Sequence, residues 1–156
     1  MYRKVEDYVE DWNASANGTL NVIKAITNDK LDQAIVEGHS TLGWLAWHLV
    51  GSVGFFGGLS GLKIEVPAHT EPVPTDVTEI VAAYEKVMAS MENEIANLTD
   101  DSLTERVPAF GTEISRGKLL RTFIDHQTHH RGQMTVLLRQ AGLAVPGVMG
   151  PTKEMQ

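Results

Sequence analysis

The chain is 156 residues long, which fits one domain able to bury a core without disulfides or oligomerisation. A formal net charge of −7, with the 13 basic residues scattered among 20 acidic ones, argues against nucleic-acid phosphates or an anionic membrane as partners. There is no cysteine, hence no disulfide, thiolate ligand or cysteine nucleophile, and any metal would have to take nitrogen or oxygen. The first residues, Met1-Tyr-Arg-Lys-Val-Glu-Asp, lack the apolar run of a signal peptide, and no window approaches the unbroken apolar length of a membrane span. The cytoplasm is the expected location.

Val5, Tyr8, Val9, Trp12, Ala16, Leu20, Ile23 and Ile26 recur at steps of three and four, which predicts a first helix over residues 2–28. Its acidic first turns suit the positive end of the helix dipole. Gly18 inside it costs about 1 kcal/mol against alanine. Residues 28–38 read as a connection that could include a helical turn, and Ser40 or Thr41 then caps a second helix. Leu42, Leu45, Leu49, Val53 and Phe56 form its main stripe. Trp44 and Trp47 fall outside that stripe, so the helix is apolar nearly all round and is expected to be buried on more than one side. Gly51, Gly54, Gly57 and Gly58 allow close backbone approach and leave its end open. His48, with Trp44 and Ser52 one turn to either side, carries no special signal on the helical wheel.

Pro67, Pro72 and Pro74 mark a loop that holds His69, expected to face solvent. Thr75 or Asp76 caps a third helix, in which Ile80, Tyr84, Val87, Met88, Met91, Ile95 and Leu98 keep clean helical register. After Thr99-Asp-Asp-Ser102, the run Arg106 to Phe110, a Gly111 turn, and Thr112 to Ile114 could form a small hairpin or an extended arm.

Ser115 is a suitable N-cap, and Gly142 a suitable terminator, for a fourth helix, followed by an irregular tail. At about 100° per residue, Leu119, Phe123, Met134 and Leu137 form one apolar stripe. His126 and His130 lie within it and His129 at its edge. Two imidazoles at core positions admit two readings. They could be hydrogen-bonded core residues, because burying them uncompensated is costly. Equally, their four-residue spacing puts both nitrogens within reach of one cation, provided that further ligands come from elsewhere in the chain. Four long amphipathic helices without convincing sheet-forming runs predict an all-α four-helix bundle, in which such sites are made by inward-facing side chains of different helices.

A histidine in the second helix followed by an apolar run, and a last helix reading His126-x-x-x-His130-Arg131-Gly132-Gln133, together resemble the DinB/YfiT-like superfamily of metal-dependent enzymes. The likeness in order and spacing extends over nearly the whole chain, as a single domain of residues 1–156. The resemblance implies an up-down-down-up bundle, often a homodimer. It also implies nickel or zinc held by one histidine of helix two and two of the last helix. On this chain those positions are His48, His126 and His130; no catalytic residue is implied. Relatives of known role use a low-molecular-weight thiol, as bacillithiol S-transferases or mycothiol-dependent maleylpyruvate isomerases. A small-molecule substrate and a thiol co-substrate are therefore expected.

Three neutral imidazoles leave an open coordination position, where zinc-bound water has a pKa of about 7 and a bound thiol loses its proton. Gln127 stands where metalloproteases carry glutamate, which disfavours peptidase activity. Asp125 and His129, four apart, could pair with each other or orient a ligand, and either Thr122 or Gln133 is expected to hydrogen-bond a ligating histidine. Arg131 is the residue expected to bind an anionic substrate, a surface salt bridge being the alternative. Gly132 is expected to admit a neighbouring helix. The sequence reading is thus a metal-dependent enzyme catalysing thiol transfer or hydrolysis. The alternatives are a non-catalytic metal site for stability or sensing, and a metal-free interaction module built on the aromatic surface of helix two.

Overall fold

The computed structural model describes residues 1–67 and 72–156; His69 lies outside them. Four helices carry the fold: α1 (Val5–Lys24), α2 (Leu42–Leu59), α3 (Val77–Ile95) and α4 (Arg116–Gln140). Between α3 and α4 lies an antiparallel hairpin, β1 (Arg106–Ala109) with β2 (Thr112–Ser115), in which Val107 pairs with Ile114.

Capping chemistry sets most of the boundaries. Thr41 starts α2 by accepting the Trp44 amide at 3.1 Å, and Asp76 starts α3 by accepting that of Thr78 at 2.9 Å, each filling one of the orphan donors of a helix N-terminus. Ser115 precedes α4 without capping it through its side chain. The Arg116 amide goes instead to the Glu105 carbonyl at 2.9 Å. α1 is shorter than the 2–28 that the spacing predicts. Tyr2 is buried ahead of it, with its amide donated to the Gly117 carbonyl at 3.2 Å and its hydroxyl to Asp11 at 2.6 Å, so the residues before the helix are tied to both α4 and α1.

The contacts give the direction of each helix. Trp12 stacks on Phe123 and Thr19 bonds Gln127, so α1 and α4 run parallel. His48 meets His126 while Phe56 meets Phe123, so α2 runs against α4. Lys4 pairs with Asp100 and Asn28 bonds the Val77 amide, so α3 runs against α1. The bundle is therefore up-down-down-up, with α1 and α2 each packed between α3 and α4.

By length and composition α2 could cross a membrane, with 18 residues of mean hydropathy 1.3, which corrects the expectation that no window approaches such a span. Here 56% of it is buried. The chain that follows also folds back on it, Ile64 over Gly57 and Val66 over Gly54.

A polar thread runs through the core. The Gln127 carboxamide, fully buried, accepts from Thr19 of α1 at 3.1 Å and Tyr84 of α3 at 3.0 Å, and donates to Ser52 of α2 at 3.1 Å. One turn on, buried Arg131 donates to the Ser15 carbonyl and hydroxyl, Thr19 and Thr128 at 3.0–3.3 Å. Arg131 thus faces α1. The expectations of a substrate-binding or surface-paired arginine are both overturned, because Arg131 lies 100° round the helix from His130, in the α1 interface.

Gly132 is also not what the sequence suggested: a Cβ there would meet nothing within 4 Å, whereas one at Gly117 would sit 2.1 Å from the Tyr2 carbonyl oxygen. The same substitution should therefore act in opposite directions. Gly132→Ala should raise stability by about 1 kcal/mol through helix propensity. Gly117→Ala should lower it by about 1–3 kcal/mol by forcing backbone apart. Thermal melts of the two variants check both signs.

Candidate metal centre

Because α2 and α4 are antiparallel neighbours, a residue in the first half of α2 meets the middle of α4. His48 Nε2 lies 3.2 Å from His126 Nε2. The His130 ring closes the group, with ring centroids 4.7 Å from His48 and 4.5 Å from His126. One nitrogen from each of the three lies within 4.8 Å of those of the other two, and among the described residues no carboxylate belongs to the cluster.

Nitrogens bound at 2.0–2.1 Å to a tetrahedral ion are about 3.3 Å apart, so the His48–His126 contact already has the separation that a shared cation requires. The protonation states agree. Burial, reinforced by the neighbouring His130, His48 and His129, pulls His126 down from 6.5 to about 4. His130 is lowered chiefly by burial, against the opposing hydrogen bond from Gln133. Both are neutral near pH 7, the form that offers a lone pair to a metal.

The surroundings orient the rings. His130 Nδ1 lies 2.7 Å from Gln133 Oε1, so an Nδ1–H donated there leaves Nε2 unprotonated. Of the two residues expected to play this part, it is Gln133; Thr122 bonds the Lys118 carbonyl. His48 stacks flat on Trp44, at 4.9 Å and 5° between planes. His126 packs against Phe56 at 5.1 Å, and Phe56 stacks in turn on Phe123. His126 Nδ1 is buried with no hydrogen-bond partner among the described residues. Asp125 pairs with Arg121 of the preceding turn at 2.7 Å, not with His129. His129 is exposed, its ring 4.9 Å from that of His130.

Two cavities approach the cluster without containing its imidazoles. One, about 500 Å³, touches it only through Trp44; another, about 220 Å³, reaches Gln133 beside Ile35, Leu45 and Val136. The sequence reading missed the ring contacts of Phe56 and the buried role of Gln127. The signal for the latter was present: Leu120, Ile124, Gln127, Arg131 and Leu138 form a second stripe at helical spacing, all buried.

The family model for the DinB family matches residues 1–156. The chain belongs to the DinB family. It is 37% identical over 155 residues to the uncharacterized protein YrdA of Bacillus subtilis (strain 168), covering 99% of this chain and 93% of that protein. Among solved structures, a DinB-like protein from Bacillus cereus ATCC 10987 superposes with a TM-score of 0.86 at 38% identity, over 95% of this chain and 99% of that one. The DinB-like protein YjoA of Bacillus subtilis shares the fold, with a TM-score of 0.71 at 21% identity over 93% and 99% of the two chains. The DinB fold and a three-histidine cluster that could hold a metal ion are thus both present here.

Metal-free protein should show a specific pH dependence. Folded His126 takes its proton only near pH 4, the unfolded side chain near 6.5. Between these values the unfolded chain binds more protons, so stability falls as pH drops through the window and levels off below it. Chelator-treated wild type should lose melting temperature from pH 7 to 4. His126→Leu should lose less; equal slopes would count against a depressed His126.

Proposed function

We propose that His48, His126 and His130 hold one divalent cation, zinc or nickel, and that this DinB protein is a metal-dependent enzyme acting on a small molecule by thiol transfer or hydrolysis. The observation that carries the reading is the convergence of three imidazoles from two helices, with the 3.2 Å Nε2 to Nε2 separation of two ligands on one ion. When bound, such an ion supplies a Lewis acid that lowers the pKa of a coordinated water or thiol towards neutrality.

The chain's own residues supply the rest. Gln133 fixes the His130 tautomer, Trp44 holds the plane of His48, and Phe56 and Phe123 keep water from the inner side of His126. Three protein ligands with no carboxylate among them favour catalysis over a closed structural site, since structural zinc has four protein ligands. The thiol co-substrate of known relatives belongs to this proposal, as does a homodimer; sedimentation at micromolar concentration tests the latter, a monomer counting against it.

Elemental analysis of protein purified without an affinity tag tests the centre. Wild type should carry about one zinc or nickel per chain, as a single three-histidine site requires. His48→Ala and His126→Ala should both lose it while keeping their helical circular dichroism. Metal-free wild type, or retention in both variants, would sink the proposal. Loading should then be followed by assays with thiols and with ester substrates.

A further inference from the structure

The three imidazoles sit beside a run of exposed rings that the fold does not use for its core. Trp44, His48 and Phe55 lie on one stripe of α2, at about 100° per residue. Trp44 is 44% exposed although it stacks on His48, and Phe55 is 50% exposed. Phe110, at the tip of the hairpin, is 59% exposed and stands 6.3 Å from the Phe55 ring and 6.0 Å from that of Phe56, the ring in contact with His126. The rings therefore continue outward from the cluster without a break. A cleft of about 440 Å³ extends this surface between Leu59 and the hairpin residues Pro108, Ala109 and Phe110, with Glu113 at its edge.

Phe110 is held there against its backbone preference. Its φ is +52° and that of Gly111 is +77°, the two left-handed positions of a two-residue hairpin turn between Ala109 and Thr112. Asparagine or aspartate is the ordinary choice at the first of these positions, and a bulky side chain there is an outlier. Strain of this kind, stored in an exposed ring beside a candidate site, indicates a role for the ring outside folding. Arg131, the cation next to the histidine pair in sequence, turns towards α1 and away from this surface.

We infer that Trp44, Phe55 and Phe110 form an apolar rim that binds an uncharged aromatic portion of the substrate and presents its polar end to the three histidines. The inference rests on the proposed metal centre for that polar end, but ring binding by the rim is separable from it. Substrates with an aryl body are favoured over equally reactive small polar ones.

The test titrates folded protein with benzyl mercaptan and with 2-mercaptoethanol, following binding by NMR, in wild type, Phe110→Asn and Phe55→Ser. Wild type should prefer the aryl thiol by about tenfold or more, the scale of a well-made ring contact. Phe110→Asn should lose most of that preference while its melting temperature holds or rises and its metal content stays that of wild type. A variant that keeps the full preference, in both substitutions, overturns the rim. The same titration with benzyl alcohol on chelator-treated protein separates the two proposals. Ring binding that is sensitive to Phe110→Asn without metal upholds the rim even if the metal centre fails. No ring binding in either metal state overturns the rim and leaves the metal centre standing.

Discussion

The carboxamide of Gln127 is the constraint on which this structure turns. Among the described residues it is the one side chain whose hydrogen bonds reach all three other helices, and each of those bonds is buried. A buried polar group left unpaired costs about 1–3 kcal/mol, so Thr19, Ser52 and Tyr84 are satisfied together only in one rotation and one height of α4. Gln127 follows His126 directly. The register that completes the core thread is therefore the register that presents His126 to His48, and core specificity and site geometry are set by adjacent residues of one helix.

The thread also explains why α4 is so sparsely hydrophobic for a helix with two packed faces. Its α2 face carries the histidines and its α1 face carries Gln127 and Arg131, with Phe123, Leu119 and Leu137 filling between them. Arg131 meets carbonyl and hydroxyl oxygens and no carboxylate. Burial lowers its pKa from the ordinary arginine value, yet the residue remains a cation, since guanidinium titrates far above neutrality. Its role is to fasten α4 to α1, which leaves the α2 side of the helix to the histidines.

Much of this was legible in the sequence, and the failures have a common cause. Period and caps gave the starts of α2 and α3 and the end of α4 almost to the residue, since Thr41, Asp76 and Gly142 act through local backbone geometry that needs no tertiary knowledge; the end of α2, rich in glycine, was left open. The His126 and His130 pair was legible for the same reason. His48 was not, because a half-buried histidine among apolar residues looks alike whether or not another helix brings two more to it; only the resemblance singled it out. Arg131, Asp125 and Gly132 were misread because a wheel gives angle but not neighbour. With α4 packed between two helices, Arg131, 100° from His130, belongs to the α1 interface, whereas Asp125 and Gly132 face solvent.

The order of synthesis gives the tie between Gln127 and the other helices a further meaning. The helix that holds Gln127 and two of the three histidines is the last of the four to leave the ribosome, and the strand of chain it pairs with in parallel, α1, is the first. Until α4 emerges, Thr19, Ser52 and Tyr84 have no Gln127 to meet, and the three-histidine group cannot assemble. Non-local pairing of this kind delays collapse until the chain is nearly complete. The three histidines are thereby brought together only as the core that positions them forms.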